Sequence, residues 1–422
     1  MKIDSICVQG EYHPKNGEPR VIPIVQSTTF KYESSQAMGD LFDLKAPGYF
    51  YTRLQNPTND YAAAKIAALE GGVAGMLTSS GQAASFYSIF NIAQAGDHIV
   101  SSSAIYGGTF NLFNVTMKKL GIDFTFIPPH STEEEIQAAI KPNTKAIFGE
   151  TISNPSLDIL DIETFAKVAH KNGIPLIIDN TFATPINCRP FEFGADIVIH
   201  STTKYMEGHA STIGGVIVDS GNFDWTQNDK FPGLTTPDES YHGLVYTEAF
   251  GKGAYITKAT VQLMRDLGSI QSPQNAFLLN VGLETLHLRM PRHCENALKV
   301  AKYLKTNDKI VWVKCAMLED DDQHHLAAKY LPNGTCGVVS FGIKGGREAA
   351  TKFMDSLKLA AIVTHVADAR TCCLHPASTT HRQLTDEQLE ECGVSPDLIR
   401  FSCGIESAED IIEDIEQALN QI

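Results

Sequence analysis

Seven short apolar runs, each closed by polar residues or glycine, constrain the fold more than any other feature of this sequence. They read AGMLTSS, DHIVSSS, DFTFIPP, KAIFGET, PLIIDNTF, ADIVIHSTT and GGVIVDS, in that order along the chain. Helical patterns such as DIETFAKVAHKNG lie between several of them. Short apolar strands that alternate with helices are typical of a mainly parallel sheet covered on both faces. The sequence therefore predicts an α/β fold built on a mainly parallel seven-stranded sheet.

The chain is predicted to have three parts. Residues 1–56 show little periodicity and much Gly, Pro, Ser and Tyr, which indicates an irregular arm that needs another surface to pack on. Residues 57–280 form the large α/β domain, which opens on the helical pattern PTNDYAAAKIAALEG with Asn59 or Asp60 as its N-cap. Residues 281–422 mix strand-like runs with a terminal amphipathic helix and predict a smaller α+β domain. The long helical pattern SPQNAFLLNVGLETLHLRMPRHCENALKVAKYL bridges the two domains in this interpretation.

Charge and cysteine content limit the partners. The net charge is −15 at pH 7, so the surface repels phosphate backbones and disfavours nucleic acid. No stretch has the apolar length of a membrane span, and the N-terminus lacks the apolar core of a signal peptide. Nine cysteines are scattered without CxxC spacing, which disfavours a disulfide framework or a zinc site. These features predict a cytoplasmic protein without a nucleic-acid, membrane or metal partner.

Polar residues close the first and fifth of the predicted strands, and in open α/β sheets ligands bind at that edge. Ser80, Gly81 and Gln82 link the first strand to a helix whose free N–H groups would hold an anion such as phosphate. Asp179 ends the fifth strand, where a carboxylate would hold a protonated ring nitrogen. Each feature also has a structural interpretation, because glycine turns are common and a lone Asp often caps a helix.

The sixth strand is followed by HSTTK, in which three residues bear on chemistry. The hydroxyls of Ser201 and Thr203 suit phosphate oxygens, and a sheltered Lys204 would lose solvation and become nucleophilic. Taken alone, the stretch is more often a surface lysine after a capping turn. Taken with the other two strand ends, it supplies an amine for an aldehyde, beside an acid for a ring nitrogen and a cradle for a phosphate. One cofactor has all three groups: pyridoxal 5'-phosphate.

The chain resembles the Cys/Met-metabolism family of pyridoxal-phosphate enzymes over nearly its whole length. The motifs YTRLQNPT, SSGQAA, YGGTFNLF, ETISNP, IIDNTFATP, HSTTKYMEGH, HPASTTH and RFSCGIE occur in the family's order. The resemblance implies a fold-type I transferase in which Lys204 forms the Schiff base and Asp179 pairs with the pyridinium nitrogen. Tyr106 would then stack on the cofactor ring and assist proton transfer.

The resemblance also implies further contacts with cofactor and substrate. Asn154 would lie near the cofactor's 3'-oxygen, and Arg400 would grip the substrate α-carboxylate, for which a guanidinium fork is suited. Tyr51 and Arg53 would reach the phosphate of a neighbouring subunit's cofactor, in a homotetramer built as a dimer of dimers. His365 would border the substrate pocket. The phosphate cradle would comprise Ser80, Gly81, Gln82, Ser201 and Thr203.

The implied activity is replacement of the γ-substituent of O-acetylhomoserine by sulfide or a small thiol, and the segment PDESYHGLVYTEAFG points to that branch of the family. Two alternatives stay open: γ-elimination from methionine or homocysteine, and a nucleotide or vitamer binder without turnover. His365 and Ala367 stand where relatives commonly carry Asn or Ser and Gly, which bears on specificity. Gly108 replaces the cysteine typical of methionine γ-lyases and argues against elimination.

Two weaker candidates have structural interpretations. EDDDQHH, residues 319–325, offers carboxylates and imidazoles, but it lacks closed ligand spacing and is interpreted as an acidic solvated loop. The adjacent Cys372 and Cys373 are interpreted as packed thiols near the pocket.

Overall fold

The computed structural model describes residues 1–379 and 394–422. The last two residues of the HPASTTH motif, and Cys392, lie outside the described residues. Within those two ranges, no helix combines the length and the apolar character needed to traverse a lipid bilayer.

The seven predicted strands form one sheet, and the predicted fold class is confirmed. The sheet has the spatial order β1-β7-β6-β5-β4-β2-β3. Four strand pairs are parallel, β2–β3, β2–β4, β4–β5 and β5–β6, whereas β7 runs antiparallel to both of its neighbours. The strands are β1 (Ala74–Thr78), β2 (His98–Ser102), β3 (Asp123–Ile127), β4 (Thr144–Glu150), β5 (Leu176–Asp179), β6 (Ile197–His200) and β7 (Gly215–Asp219).

Helices cover this sheet and connect its strands. Two of them continue into π-helical turns, at Leu112–Thr116 and Ala259–Met264. Single 3-10 turns occur at Met117–Leu120, Pro190–Phe193, Glu239–Tyr241, Gly251–Gly253 and Pro376–Ser378. The helices up to the second sheet are α1 (Ile3–Gln9), α2 (Ser35–Phe42), α3 (Pro57–Glu70), α4 (Gly81–Phe90), α5 (Gly107–Asn111), α6 (Glu133–Ala139), α7 (Ile162–Lys171), α8 (Thr184–Asn187), α9 (Pro232–Thr235), α10 (Tyr246–Phe250), α11 (Ala254–Lys258), α12 (Arg265–Leu267), α13 (Pro273–Glu284) and α14 (Leu286–Thr306).

Helix α3 shows how local sequence sets an element's ends. Its N-cap is Asn56, whose side-chain oxygen accepts a hydrogen bond from the Thr58 N–H at 3.0 Å. The predicted caps, Asn59 and Asp60, lie inside the helix instead, because Pro57 is already suited to the first helical position. Gly71 ends the helix with a φ of 81°, a left-handed conformation that favours glycine.

A second, antiparallel-rich sheet forms the smaller α+β part of the chain. Its order is β10-β11-β12-β9-β8, and only the short β10–β11 pair is parallel. The long helical pattern before it forms two helices, α13 and α14, which Thr285 separates. The domain boundary at residue 280 stays a prediction. The elements are β8 (Ile310–Lys314), α15 (His324–Tyr330), β9 (Val338–Ile343), α16 (Gly346–Ser356), β10 (Ala361–Ile362), β11 (Cys372–Leu374), β12 (Leu398–Ser402) and α17 (Ala408–Leu419).

Candidate active site

The carboxyl ends of β4, β5 and β6 lie side by side and carry polar groups that contact one another. Asp179 at the end of β5 accepts hydrogen bonds from the N–H and the hydroxyl of Thr181. The Thr181 hydroxyl oxygen in turn accepts the Ser201 N–H, at 2.8 Å, from the turn after β6. The structure thus brings together Asp179 and the HSTTK stretch, two of the three strand ends that the sequence singled out.

The turn between β1 and α4 packs directly against the same stretch. A Cβ added to Gly81 would lie 2.6 Å from the Ser201 Cβ and 2.9 Å from its Cα, so only glycine permits this approach. The Ser80 hydroxyl caps α4 by accepting the Ala83 N–H at 3.1 Å. The Thr203 hydroxyl lies close by, where it accepts the Gly214 N–H at 3.1 Å. A helix N-terminus beside two hydroxyl residues is a site for an anion such as phosphate.

Lys204 follows this turn, and its amine is sheltered. Burial, together with the positive charge of Arg400, lowers the pKa of Lys204 to about 8. At pH 7 about one amine in ten is then unprotonated, against fewer than about one in a thousand for an ordinary lysine. Its Nζ lies 3.3 Å from Nδ1 of His365. The amine is therefore suited to nucleophilic attack and to proton transfer.

Glu150, which the sequence analysis did not single out, ends β4 directly beside Asp179 in the sheet register. It is buried, and its Oε1 accepts the Tyr106 N–H at 2.7 Å. Burial raises the pKa of both carboxyls, and the charge of Asp179 raises the pKa of Glu150 further, well above its usual range. Two adjacent buried carboxylates resist ionising together, and the hydrogen bonds from Thr181 favour the ionised form of Asp179. The sequence signal that could have identified Glu150 is that two acidic residues, Glu150 and Asp179, each end a predicted strand.

Tyr106 depends on the glycine that follows two residues later. Its side chain is 50% exposed, and its ring lies over Gly108, where an added Cβ would sit 2.5 Å from the ring's Cε1. The same Cβ would lie 2.8 Å from Nε2 of Gln82. Gln82 also accepts the Thr109 hydroxyl at 3.2 Å. A cysteine at position 108 would have to displace the ring of Tyr106, the residue predicted to stack on the cofactor.

Arg400 reaches this site from β12 of the second sheet. It is buried, and its guanidinium donates to the Asn154 side-chain oxygen at 3.2 Å and to the backbone oxygens of His365 at 3.1 Å and Thr364 at 3.3 Å. Its Nε is buried and has no hydrogen-bond partner among the described residues. No carboxylate in the described part of the chain lies within ion-pair distance of this guanidinium. A buried cation without a counter-anion is suited to a ligand's carboxylate.

Tyr51 and Arg53 are the two predicted site residues that the structure does not bring to this cluster. Both are exposed, and the Arg53 guanidinium lies 5.2 Å from the centre of the Tyr51 ring. Within residues 1–379 and 394–422, no hydrogen bond or ring contact joins either of them to Lys204. Their predicted role in a neighbouring subunit stays a prediction.

The acidic segment 319–325 and the adjacent cysteines, the two weaker candidates, both have structural roles in the smaller α+β part. Asp321 of the acidic segment accepts the N–H groups of Cys315 and Gln323, both close to 3 Å, and so fixes a turn. Cys372 and Cys373 are buried, and the Cys372 thiol lies 3.5 Å from the His365 backbone oxygen. The eight cysteines in the described ranges are all free.

Pyridoxal phosphate fits this arrangement. The sheltered Lys204 amine, the charged Asp179 and the Gly81 turn, which a Cβ would fill, offer partners for its aldehyde, its ring nitrogen and its phosphate. The sheet topology and this site define a pyridoxal-phosphate-dependent enzyme of the fold-type I class. The chain belongs to the Cys/Met metabolism PLP-dependent enzyme family, whose sequence profile matches residues 4–420. The predicted family and cofactor are confirmed.

Known proteins with similar sequences cover nearly the whole chain. The chain is 48% identical over 402 residues to a homocysteine synthase of Schizosaccharomyces pombe, covering 95% of this chain and 94% of that protein. It is 45% identical over 432 residues to an O-acetyl-L-homoserine sulfhydrylase of Leptospira meyeri, covering 100% and 97%. A solved structure from Campylobacter jejuni, named as an O-acetylhomoserine (thiol)-lyase and carrying a pyridoxyl-lysine phosphate, matches with a TM-score of 0.96 at 36% identity and covers 100% of both chains.

Proposed function

We propose that the protein replaces the acetoxy group of O-acetyl-L-homoserine with sulfide or a small thiol. The products are homocysteine, or methionine from methanethiol, and acetate. One observation carries the proposal: the Arg400 guanidinium, which has no counter-anion among the described residues, and the sheltered Lys204 amine both contact His365. An amino acid bound by its carboxylate at Arg400 therefore presents its α-carbon to Lys204. The names of the relatives in S. pombe and L. meyeri support the same chemistry.

Arg400 positions the substrate in this mechanism. Its Nε, which has no hydrogen-bond partner among the described residues, donates to the α-carboxylate, while Nη1 donates to Asn154 and Nη2 donates to the backbone oxygens of Thr364 and His365 and so fixes the guanidinium. Because the guanidinium is buried, the ion pair forms in a low dielectric and is stronger than at the surface.

Lys204 and Asp179 then act on the bound substrate. Pyridoxal phosphate supplies, when bound, an electron sink that makes the Cα and Cβ protons acidic. Asp179 holds a negative charge at the strand end, where it keeps the ring nitrogen protonated. Lys204 would remove the Cα proton, give it up to the electron sink that the cofactor supplies, and then remove a Cβ proton, with assistance from Tyr106. Acetate leaves from Cγ, and the sulfur nucleophile adds there. General acid–base assistance of this kind is worth about 10² to 10⁴ in rate.

Gly81→Ala is expected to weaken cofactor binding. The new methyl group would lie 2.6 Å from the Ser201 Cβ, so the phosphate cradle must open. Overpacking of this kind costs about 1–3 kcal/mol, which corresponds to roughly tenfold to hundredfold in affinity. Fluorescence titration of the cofactor-free protein with pyridoxal phosphate measures the change.

Gly39→Ala is the matched control for that variant. Gly39 also lies in a helix, α2, and an added Cβ would meet no described atom within 4 Å. It should leave the affinity unchanged. Equal affinities of the Gly81 variant and the wild type would contradict the proposed cradle.

The activity is tested with purified protein loaded with pyridoxal phosphate. With O-acetylhomoserine and sulfide, homocysteine and acetate should form in equal amounts, and little 2-oxobutyrate should appear. Abundant 2-oxobutyrate and ammonia from methionine would instead assign the γ-lyase reaction. Tight cofactor binding without turnover of any of these substrates would assign a vitamer binder. Gly108, which leaves room for the Tyr106 ring, favours the replacement reaction.

We further propose that the enzyme is a cytoplasmic homotetramer, a dimer of dimers in which Tyr51 and Arg53 reach a neighbouring subunit's cofactor. The arm supports this assembly, because it exposes large apolar side chains that a second subunit would cover. A cavity of about 960 Å³ between the arm and β1 offers further surface for a neighbour. The free thiols of the described cysteines agree with a reducing compartment. The exposed apolar residues are Val21, Ile24, Met38, Phe42 and Tyr51.

A further inference from the structure

His365 lies between the Lys204 amine and a buried carboxylate. Its Nδ1 is 3.3 Å from Lys204 Nζ, and its Nε2 is 3.5 Å from Oδ2 of Asp368. Asp368 is buried, and the His365 side chain is 20% exposed. Nε2 is fully enclosed and makes no hydrogen bond to the described residues. One edge of the imidazole therefore faces the amine, and the opposite edge faces the acid.

The backbone on the C-terminal side of the ring is held firmly. The Ala367 N–H donates to the Ser402 hydroxyl at 2.9 Å, and the Ala369 N–H donates to the Gly208 oxygen at 2.8 Å. Ala367 has a φ of 67°, a left-handed conformation that is costly for alanine. Asp368 is fixed in turn, because its Oδ1 accepts the Arg370 N–H at 2.6 Å. Strain retained beside a reactive lysine is typical of a positioned functional group.

The surroundings keep this imidazole neutral. Burial first, and then the positive charges of Lys204 and Arg400, lower the pKa of His365 to about 4, against the opposing charges of Asp368 and Glu207. A neutral ring beside a carboxylate places its proton on the nitrogen that faces that acid, here Nε2. Nδ1 is then a free base directed at the reacting groups.

The proposed reaction needs such a base. Lys204 takes the Cα and Cβ protons and returns both to the product, so those transfers balance. The thiol brings one further proton, acetate leaves as an anion, and that proton has to be released. Sulfur attacks as the thiolate rather than the thiol. A base within reach of the incoming sulfur would therefore accelerate the replacement step.

We propose that His365 accepts the proton of the incoming sulfide or thiol on Nδ1 and passes it to water, while Asp368 positions the imidazole. This rests on the proposed γ-replacement function. The S–H bond breaks, its electron pair stays on sulfur and forms the S–Cγ bond, and acetate has already left with the pair of the Cγ–O bond. The location suits this role, since Arg400 donates to the His365 backbone oxygen while Lys204 faces its ring. The γ-carbon, two bonds from the α-carbon, then lies beside the imidazole.

His365→Asn tests the proposal, because asparagine keeps a polar group of similar reach but takes no proton. Two sulfur donors are compared at pH 7: sulfide, already partly ionised, and methanethiol, which ionises only at higher pH. We expect kcat/KM for methanethiol to fall at least about tenfold more than kcat/KM for sulfide. Activity of the variant with methanethiol should rise with pH in proportion to the thiolate. Asp368→Asn should also lower kcat/KM more for methanethiol than for sulfide, but by a smaller factor than His365→Asn.

Two measurements separate this role from a structural one. The visible absorbance of the bound cofactor and its affinity should be the same in His365→Asn and the wild type. The matched control is His325→Asn, at an exposed histidine of the acidic segment whose Nδ1 lies 3.1 Å from the Asp322 backbone oxygen. This control variant should leave kcat/KM unchanged for both sulfide and methanethiol. Equal losses with sulfide and methanethiol, or a loss of cofactor binding, would overturn the proposal for His365. Absence of homocysteine formation by the wild type would instead overturn the γ-replacement function.

Discussion

Replacing Lys204 with alanine is expected to abolish turnover and the covalent linkage between protein and cofactor. In the proposed mechanism its amine is the nucleophile for the aldehyde, and the same nitrogen moves the Cα and Cβ protons. Loss of the proton-transfer role alone costs about 10² to 10⁴ in rate, and loss of the linkage adds to it. Steady-state assays of homocysteine formation and the visible absorbance of the purified variant measure the two effects separately.

A second buried lysine is the internal control. Burial lowers the pKa of Lys258 to about 8, as it does for Lys204, but its Nζ donates to the Asn91 backbone oxygen at 2.7 Å and the carboxylate whose charge acts on it is Asp238. Borohydride reduction of the wild type followed by peptide mapping should therefore label Lys204 and leave Lys258 unlabelled. An active Lys204→Ala enzyme, or a label on Lys258, would refute the assignment. The comparison shows that a lowered pKa alone does not make a lysine the cofactor's partner.

The large sheet could be predicted from the sequence because each strand is a buried apolar run that ends in polar residues or glycine. The smaller sheet was harder to predict. Its strands β10 and β11 have 2 and 3 residues, too few to show any periodicity, and β11 is a strand because it pairs with β12 on one side and with β10 on the other. The predicted N-cap of α3 lies three or four residues too late, since two further cap-forming residues, Asn59 and Asp60, follow Asn56.

The site residues likewise fall into those that the sequence could predict and those that it could not. Gly81, Asp179 and Lys204 could be found from the residues because each follows a strand of one sheet, and the carboxyl ends of such strands meet. The pairing of Arg400 with Asn154 could not, because 246 residues separate them and two domains must pack to join them. The family resemblance implies a role for each of the two residues but not their contact. Glu150 was missed although it stands at a strand end, since its importance arises from register with its neighbour.

Asp179 and Glu150 lie side by side in the sheet, and substitution of each separates their roles. Asp179→Asn is expected to lower kcat by at least about a hundredfold. In the proposed mechanism the asparagine removes the negative charge that would keep the cofactor's ring nitrogen protonated, and the electron sink would weaken. Glu150→Gln is the matched control. Glutamine resembles the protonated Glu150 and can still accept the Tyr106 N–H. The kcat of the Glu150→Gln variant should therefore fall by less than about tenfold. A larger loss in the Glu150 variant would move the charged role from Asp179 to Glu150.

Stability distinguishes this loss of function from a loss of folding. Burial holds the pKa of Asp179 above its usual value, so the folded protein binds this proton more tightly than the unfolded chain does. Ionisation of Asp179 therefore opposes folding as the pH rises through that raised pKa, and the neutral asparagine removes the penalty. At pH 7 the cofactor-free Asp179→Asn protein should unfold at the same or a higher temperature than the wild type in calorimetry. An inactive variant that is also less stable would mean that Asp179 supports the fold, through its hydrogen bonds to Thr181, rather than the chemistry.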